Sequence, residues 1–269
     1  MIFGDILTSS SLGTGTTKTQ INGAAALVLP ADCKSILAVI PEISVTTPTA
    51  AEFVAAKLEL ESDDFQIIPY AILFPTAASQ LGKGGLTIVT NAHKWPVNVR
   101  VNGGDRIKGY GTALVANTSA PLGSASLILS DMPVAETKIH GSVGTLTATG
   151  TGTGETAGTA YTFTGGTKLI EVYGVIHSTT VAAAKPMIGY VRFSSSEFAK
   201  SVPMRFMVRT AQAAISTDAT TASQIHAVTQ ILRYNVDVGL KSPTTIQDYY
   251  NLEQAVTTAG KFVTGTLWI

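Results

Sequence analysis

The stretch LELESDD (Leu58–Asp64) is the densest cluster of chemically capable groups in this 269-residue chain. Along a β-strand, Glu59, Glu61 and Asp63 fall on one face, while Leu58 and Leu60 face a core. Three carboxylates in a column repel one another unless water solvates them or a cation bridges them. Hard oxygen donors of this kind suit calcium, which takes about six to eight of them. Glu59, Glu61, Asp63 and Asp64 are therefore candidate ligands of a structural calcium. The plainer alternative, a solvated strand face, is favoured because one strand supplies too few oxygens for a full shell.

Other motifs offer less. TGTGTGET (Thr149–Thr156) superficially resembles a phosphate loop, but it has Thr149 where the first glycine belongs and Glu155 where a lysine must reach the phosphates. A carboxylate there repels the ligand. His93, His140, His177 and His226 are isolated, with no paired arrangement for a metal. No G-x-S-x-G nucleophile elbow occurs. No catalysis is predicted. At the N-terminus, Ile2 with Ile6 and Phe3 with Leu7 are spaced i,i+4, as on one face of a helix. Such an arm packs on its own molecule or lies on a lipid surface. The first is favoured, because its polar face lacks the Lys and Arg of interfacial helices.

The elements that must position these residues read as strands. β-branched, alternating runs are bounded by Gly, Pro, Asn and Asp. Eight are expected in the first half: 25–30, 35–46, 53–62, 67–74, 86–91, 96–102, 111–117 and 124–131. Helical signals are weak. Eighteen basic against 18 acidic residues leave no cationic stripe, so direct nucleic-acid binding is not expected. Only 13% of residues are charged, against about 25% in an ordinary soluble protein, so part of the surface is expected to be covered by association. Cys33 stands alone, no signal peptide is read at the N-terminus, and no apolar run approaches the roughly 18 residues that span a bilayer.

The second half repeats the first. TAAEFVAAKLELESDDF (Thr49–Phe65) lies over AAAKPMIGYVRFSSSEF (Ala182–Phe198) without a gap, and Ile36–Thr47 lies over Leu169–Thr180 at the same spacing. Val97–Val101 matches Tyr234–Val238, and Ser124–Leu129 matches Thr264–Ile269. Four blocks in one order mark a tandem duplication. The second set of strands is expected at 159–164, 168–179, 187–195, 202–209, 223–231, 234–239, 252–258 and 261–269. The implied organisation is an N-terminal arm (1–22), a first barrel (23–135), a linker and lead-in (136–158) and a second barrel (159–269). The fold class is all-β, with two tandem eight-stranded antiparallel jelly rolls.

Through these duplicated blocks the chain resembles the double jelly-roll major capsid proteins of tailless icosahedral viruses with an internal membrane. Its compact size is most similar to that of corticovirus-like bacteriophages. The resemblance implies a homotrimer whose six barrels form a pseudo-hexagonal tile beside neighbouring capsomers and a vertex (penton) protein. It implies location in the virion, after assembly in the host cytoplasm, over an internal membrane that the N-terminal residues Ile2, Phe3, Ile6 and Leu7 approach. It also implies dependence on calcium. The competing reading is a secreted double-jelly-roll glycan-binding protein or glycoprotein amidase, for which the aromatic content, 7%, is low.

Overall fold

The computed structural model describes residues 1–45, 52–62, 72–81, 85–90, 94–114, 116, 120–134, 140–164, 168–177, 187–198, 200, 202–208, 229–241, 243–255 and 260–268. Every regular element among them is a strand, and every pairing given below is antiparallel. The chain divides into two compact units. One holds Met1–Thr46, Val54–Thr76 and Thr90–Gly141, and the other holds Thr47–Phe53, Ala77–Val89 and Ser142–Ile269.

The first half of the chain carries β1 (Ile2–Ser11), β2 (Thr19–Gln20), β3 (Leu27–Val28), β4 (Ser35–Val45), β5 (Glu52–Glu61), β6 (Ile72–Leu81), β7 (Gly85–Thr90), β8 (Trp95–Arg100), β9 (Arg106–Ala113) and β10 (Pro121–Ser130). Its sheets run β1-β10-β4-β8 and β2-β9-β5-β6-β7, with β3 also on β9. The second half carries β11 (His140–Val143), β12 (Thr147–Ala148), β13 (Glu155–Phe163), β14 (Lys168–His177), β15 (Met187–Ser194), β16 (Val202–Val208), β17 (Thr229–Gly239), β18 (Thr244–Leu252) and β19 (Lys261–Trp268). Its sheets run β11-β19-β14-β17, with β12 also on β19, and β13-β18-β15-β16.

Both orders have one origin. In a long hairpin of eight segments, the first pairs with the eighth, the second with the seventh, the third with the sixth and the fourth with the fifth. Rolling that hairpin lays the eighth beside the third and the seventh beside the fourth. β1·β10·β4·β8 and β11·β19·β14·β17 are the outcome, as are β2·β9·β5·β6 and β13·β18·β15·β16. Two jelly rolls therefore stand in tandem. The duplication extends to a defect: β4 is out of step with β8 between Ile36 and Ala38, and β14 with β17 between Leu169 and Glu171. There Asn98 and Asp237 each take a positive φ, 49° and 53°. These registers shift the later repeat blocks by one or two residues. Val99 is the equivalent of Val238, and Leu129 of Trp268.

Side-chain alternation builds the cores. β8 buries Trp95, Val97 and Val99, and β10 buries Ala125, Leu127 and Leu129. In the second barrel, Phe163, Val172, Ile176, Val191, Phe193, Ile246, Tyr250 and Phe262 form one cluster. Tyr250 stacks on Phe262 at 5.1 Å, and Phe163 meets Trp268 edge-on at 5.3 Å.

Some expectations are corrected. The N-terminal arm is no helix: residues 2–11 form β1, laddered to β10 from Ile2↔Ser130 to Ser11↔Leu122 with a break in register between Leu7 and Ser10. Residues expected to be linker supply β11, β12 and the start of β13. The strand expected at 252–258 is instead β18, ending at Leu252, and β9 ends at Ala113 where a strand over 111–117 was expected.

Candidate functional site

The carboxylate face lies on β5. Register pairs Glu59 with Tyr110 and Glu61 with Lys108 of β9, while β2 flanks β9 on its other side. Lys18, just before β2, reaches across β9 to this face. Its ammonium lies 2.9 Å from Glu59, bonds Glu61, and sits 4.5 Å above the Tyr110 ring. Lys57, two residues before Glu59 on the same face, adds a second contact at 2.8 Å. Burial alone would raise the Glu59 carboxyl, but Lys57 and Lys18 outweigh it and hold the group below its ordinary value. Burial likewise works against the Lys18 charge, and Glu61 and Glu59 more than restore it.

The cation that the column of carboxylates calls for is thus supplied, at Glu59 and Glu61, by lysine. Asp63 and Asp64 lie outside the described residues. Among the described residues no group of three or more His, Cys, Asp or Glu side chains is gathered for a metal. Because the Glu59 carboxyl is held low, its stabilising contribution is present above its unfolded value and is lost as pH falls through the folded one. Replacing Lys18 with methionine is expected to cost about 1 kcal/mol, a modest figure because the lysine is partly exposed and screened. The check is urea unfolding of wild type and variant at neutral pH and in acid, where the gap should close.

The second barrel carries the same clamp with its polarity reversed. Glu155 of β13 receives two bonds from Arg192 of β15, each 2.7 Å. The Arg192 guanidinium stacks 4.1 Å above Tyr249 of β18, its cross-strand partner. In both barrels a cation–carboxylate pair bridges the strands on either side of a tyrosine-bearing strand. In the first the cation is at the edge and the carboxylate inside; in the second the order is exchanged. Arg192 holds the Glu155 carboxyl below its ordinary value. The phosphate-loop-like stretch therefore carries, at its lysine position, a carboxylate already committed to an arginine.

The candidate membrane-side residues separate. Ile2 and Ile6 lie exposed on β1, 69% and 57%, on the same strand face as Gly4, with Met132 exposed beyond the end of β10. Phe3 is half-buried and Leu7 fully buried on the other face. The N-terminal ammonium pairs with Asp131, and β1 is an edge strand. Of the histidines, His140 and His177 sit at strand ends, and His93 and His226 fall outside the described residues.

Sequence reasoning missed Lys18 and Arg192 as clamp members. The signal lay in the repeat: Glu59 falls on Arg192 when Phe65 is laid over Phe198.

No family model matches the chain, and no curated protein matches it. Among solved structures it is similar to one from Sulfolobus Turreted Icosahedral Virus, with 12% identity over 100% of this chain and 90% of that one, at a TM-score of 0.44. It is similar to infectious bursal disease virus Gx strain, with 9% identity over 100% of this chain and 72% of the other, at 0.28. It is also similar to the tandem CBM22 domains at the N-terminus of Paenibacillus barcinonensis Xyn10C, with 11% identity over 98% and 97%, at 0.24.

Proposed function

We propose that the chain is the structural capsid subunit of an icosahedral virus, assembling as a homotrimer of six barrels over an internal membrane. The observation that carries this reading is the identical rolled-hairpin order of two jelly rolls in one chain. Three copies of such a chain supply six near-equivalent barrels, enough to close a ring with pseudo-sixfold symmetry from a heterologous contact. The low charge content supports it, since sides that meet copies of themselves are opposed by like-charge patches. No catalytic role is proposed. Against a glycan-binding role, Tyr234 is the only aromatic among the exposed large hydrophobic side chains of the described residues, too little for a stacking platform.

In this reading the partners are neighbouring trimers, a vertex protein and the membrane beneath, which β1 would meet through Ile2 and Ile6. A structural calcium shared by Glu59, Glu61, Asp63 and Asp64 would have to displace Lys18. A chelator that lowers the melting temperature of the assembled protein supports it, and an unchanged melt removes it. The decisive experiment is mass photometry with electron microscopy of the purified protein. A particle of 3 × 28.0 kDa with a pseudo-hexagonal outline is expected. A stable monomer at high concentration overturns the assembly.

A further inference from the structure

Asp248 is a carboxylate inside a barrel. It lies on the inward face of β18, between Ile246 and Tyr250, and is 1% exposed. Thr264 of β19 donates its hydroxyl to Asp248 Oδ2, and Gln247 Nε2 lies 3.4 Å from Oδ1. The backbone of Thr159 on β13 also bonds the carboxylate. Tyr161 of β13 lies 2.7 Å from Thr264 Oγ1. A threonine has one proton, and here it goes to Asp248, so the tyrosine donates. The relay runs Tyr161 to Thr264 to Asp248. It crosses from one sheet, holding β13 and β18, to the other, holding β19. Gly158 makes room at the bulge in β13: a Cβ there would lie 2.5 Å from Oδ1.

The fold does not demand this arrangement. The position equivalent to Asp248 in the first barrel is Gly109, and Ile21 and Leu7 close over it. Ala125 stands where Thr264 does. One barrel joins its sheets there with hydrocarbon and the other with a proton-bearing relay.

The titratable neighbours are tyrosines. Tyr161 comes from β13 and Tyr250 from β18 itself, Phe193 is the cross-strand partner on β15, and Tyr173 of β14 acts on Tyr161. Glu171, also on β14, is buried. Three cations of this barrel are held in ion pairs at the surface: Arg192 by Glu155, Arg205 by Glu253 and Lys168 by Asp237. Burial pushes the Asp248 carboxyl up to about 6, and its hydrogen bonds only partly oppose that.

We propose that the Asp248–Thr264–Tyr161 relay is a proton-sensitive clasp between the two sheets of the second barrel: the barrel is firm while the buried carboxyl keeps its proton and loosens when it ionises, because burying that charge without a cation costs more than the donors aimed at it return. This goes beyond the capsid reading and does not rest on it. The sign is the reverse of ordinary acid denaturation. The folded carboxyl holds its proton above the unfolded value, so its contribution is complete below about 4 and is lost as pH rises through about 6.

The test is hydrogen exchange by mass spectrometry on the full chain, corrected for intrinsic rates, with the carboxyl carbon of Asp248 followed by NMR. Between about pH 5 and pH 7, opening of β18 and β19 should rise roughly tenfold more in wild type than in Asp248→Asn. Thr264→Val, which removes a donor to the carboxylate, should move the NMR titration upward. Equal pH slopes in wild type and Asp248→Asn overturn the clasp. So does an Asp248 carbon that titrates at an ordinary aspartate value, a result readable in wild type even where a variant fails to fold.

Discussion

Gly103→Ala is expected to destabilise the first barrel by about 3 kcal/mol or more, among the larger costs of a single methyl group. Gly103 sits in the turn Asn102–Asp105 between β8 and β9. A Cβ there would fall within the van der Waals envelope of the Ala31 carbonyl and 2.7 Å from Ala31 Cα. These are backbone atoms, and neither strand of chain is free to retreat. Leu29 N–H donates to Asp105 O at 2.9 Å, Gly104 N–H to Leu29 O at 3.0 Å, and Val101 N–H to Lys34 O at 3.1 Å. Asn102 N–H is held by the Asp105 carboxylate at 2.7 Å. The methyl must break part of this lacing. Gly104 is the control: its φ is +87°, but nothing lies within 4 Å of its Cβ position. Gly104→Ala should cost about 1–2 kcal/mol of backbone strain alone. At about 2–4 °C per kcal/mol for a chain of this size, thermal melts should rank the two variants clearly. The reverse order would mean that Ala31 does not lie against the turn.

Phe262→Ala is expected to cost about 4 kcal/mol, within the range for removing a buried phenylalanine. Its ring is fully buried in the second core and stacked on Tyr250. The loss combines transfer, a cavity between two laddered sheets that cannot collapse, and an aromatic contact of about 1 kcal/mol. Phe262→Leu should recover more than half of it. Differential scanning calorimetry with a reporter on each unit should show the loss confined to the second barrel. An equal loss in Gly103→Ala and Phe262→Ala of both units would show that the barrels unfold as one.

Sequence and structure part company at particular residues, for physical reasons. β4, β5, β14, β15 and β19 were legible because long β-branched runs alternate within them. The duplication was legible because several runs recur in one order. β1 was misread through its spacing. Four is a multiple of two, so Ile2 with Ile6 and Phe3 with Leu7 share a face in a strand as well as in a helix; only the separation of the pairs tells them apart. β18 was missed because Asp248 stands where a strand facing a core should carry a hydrocarbon. β2, β3 and β12 have two residues each and no period to read. Of the candidate site, Glu59 and Glu61 were legible as a face that needs a cation. Lys18 was not, since 43 residues separate it from Glu61 and only pairing through β9 joins them.

The opposed polarity of the two clamps bears on how the chain finds its fold. Tandem copies of one topology offer each strand two addresses, and exchange between neighbouring copies is a characteristic failure of such chains. If β5 docked in the second barrel in place of β15, Glu59 would meet Glu155. If β15 docked in the first, Arg192 would meet Lys18. Each trespass sets like charges together over a tyrosine, and each correct address sets opposite charges there. A pair of surface ion bridges, individually weak, thereby labels every copy of the strand with the barrel to which it belongs.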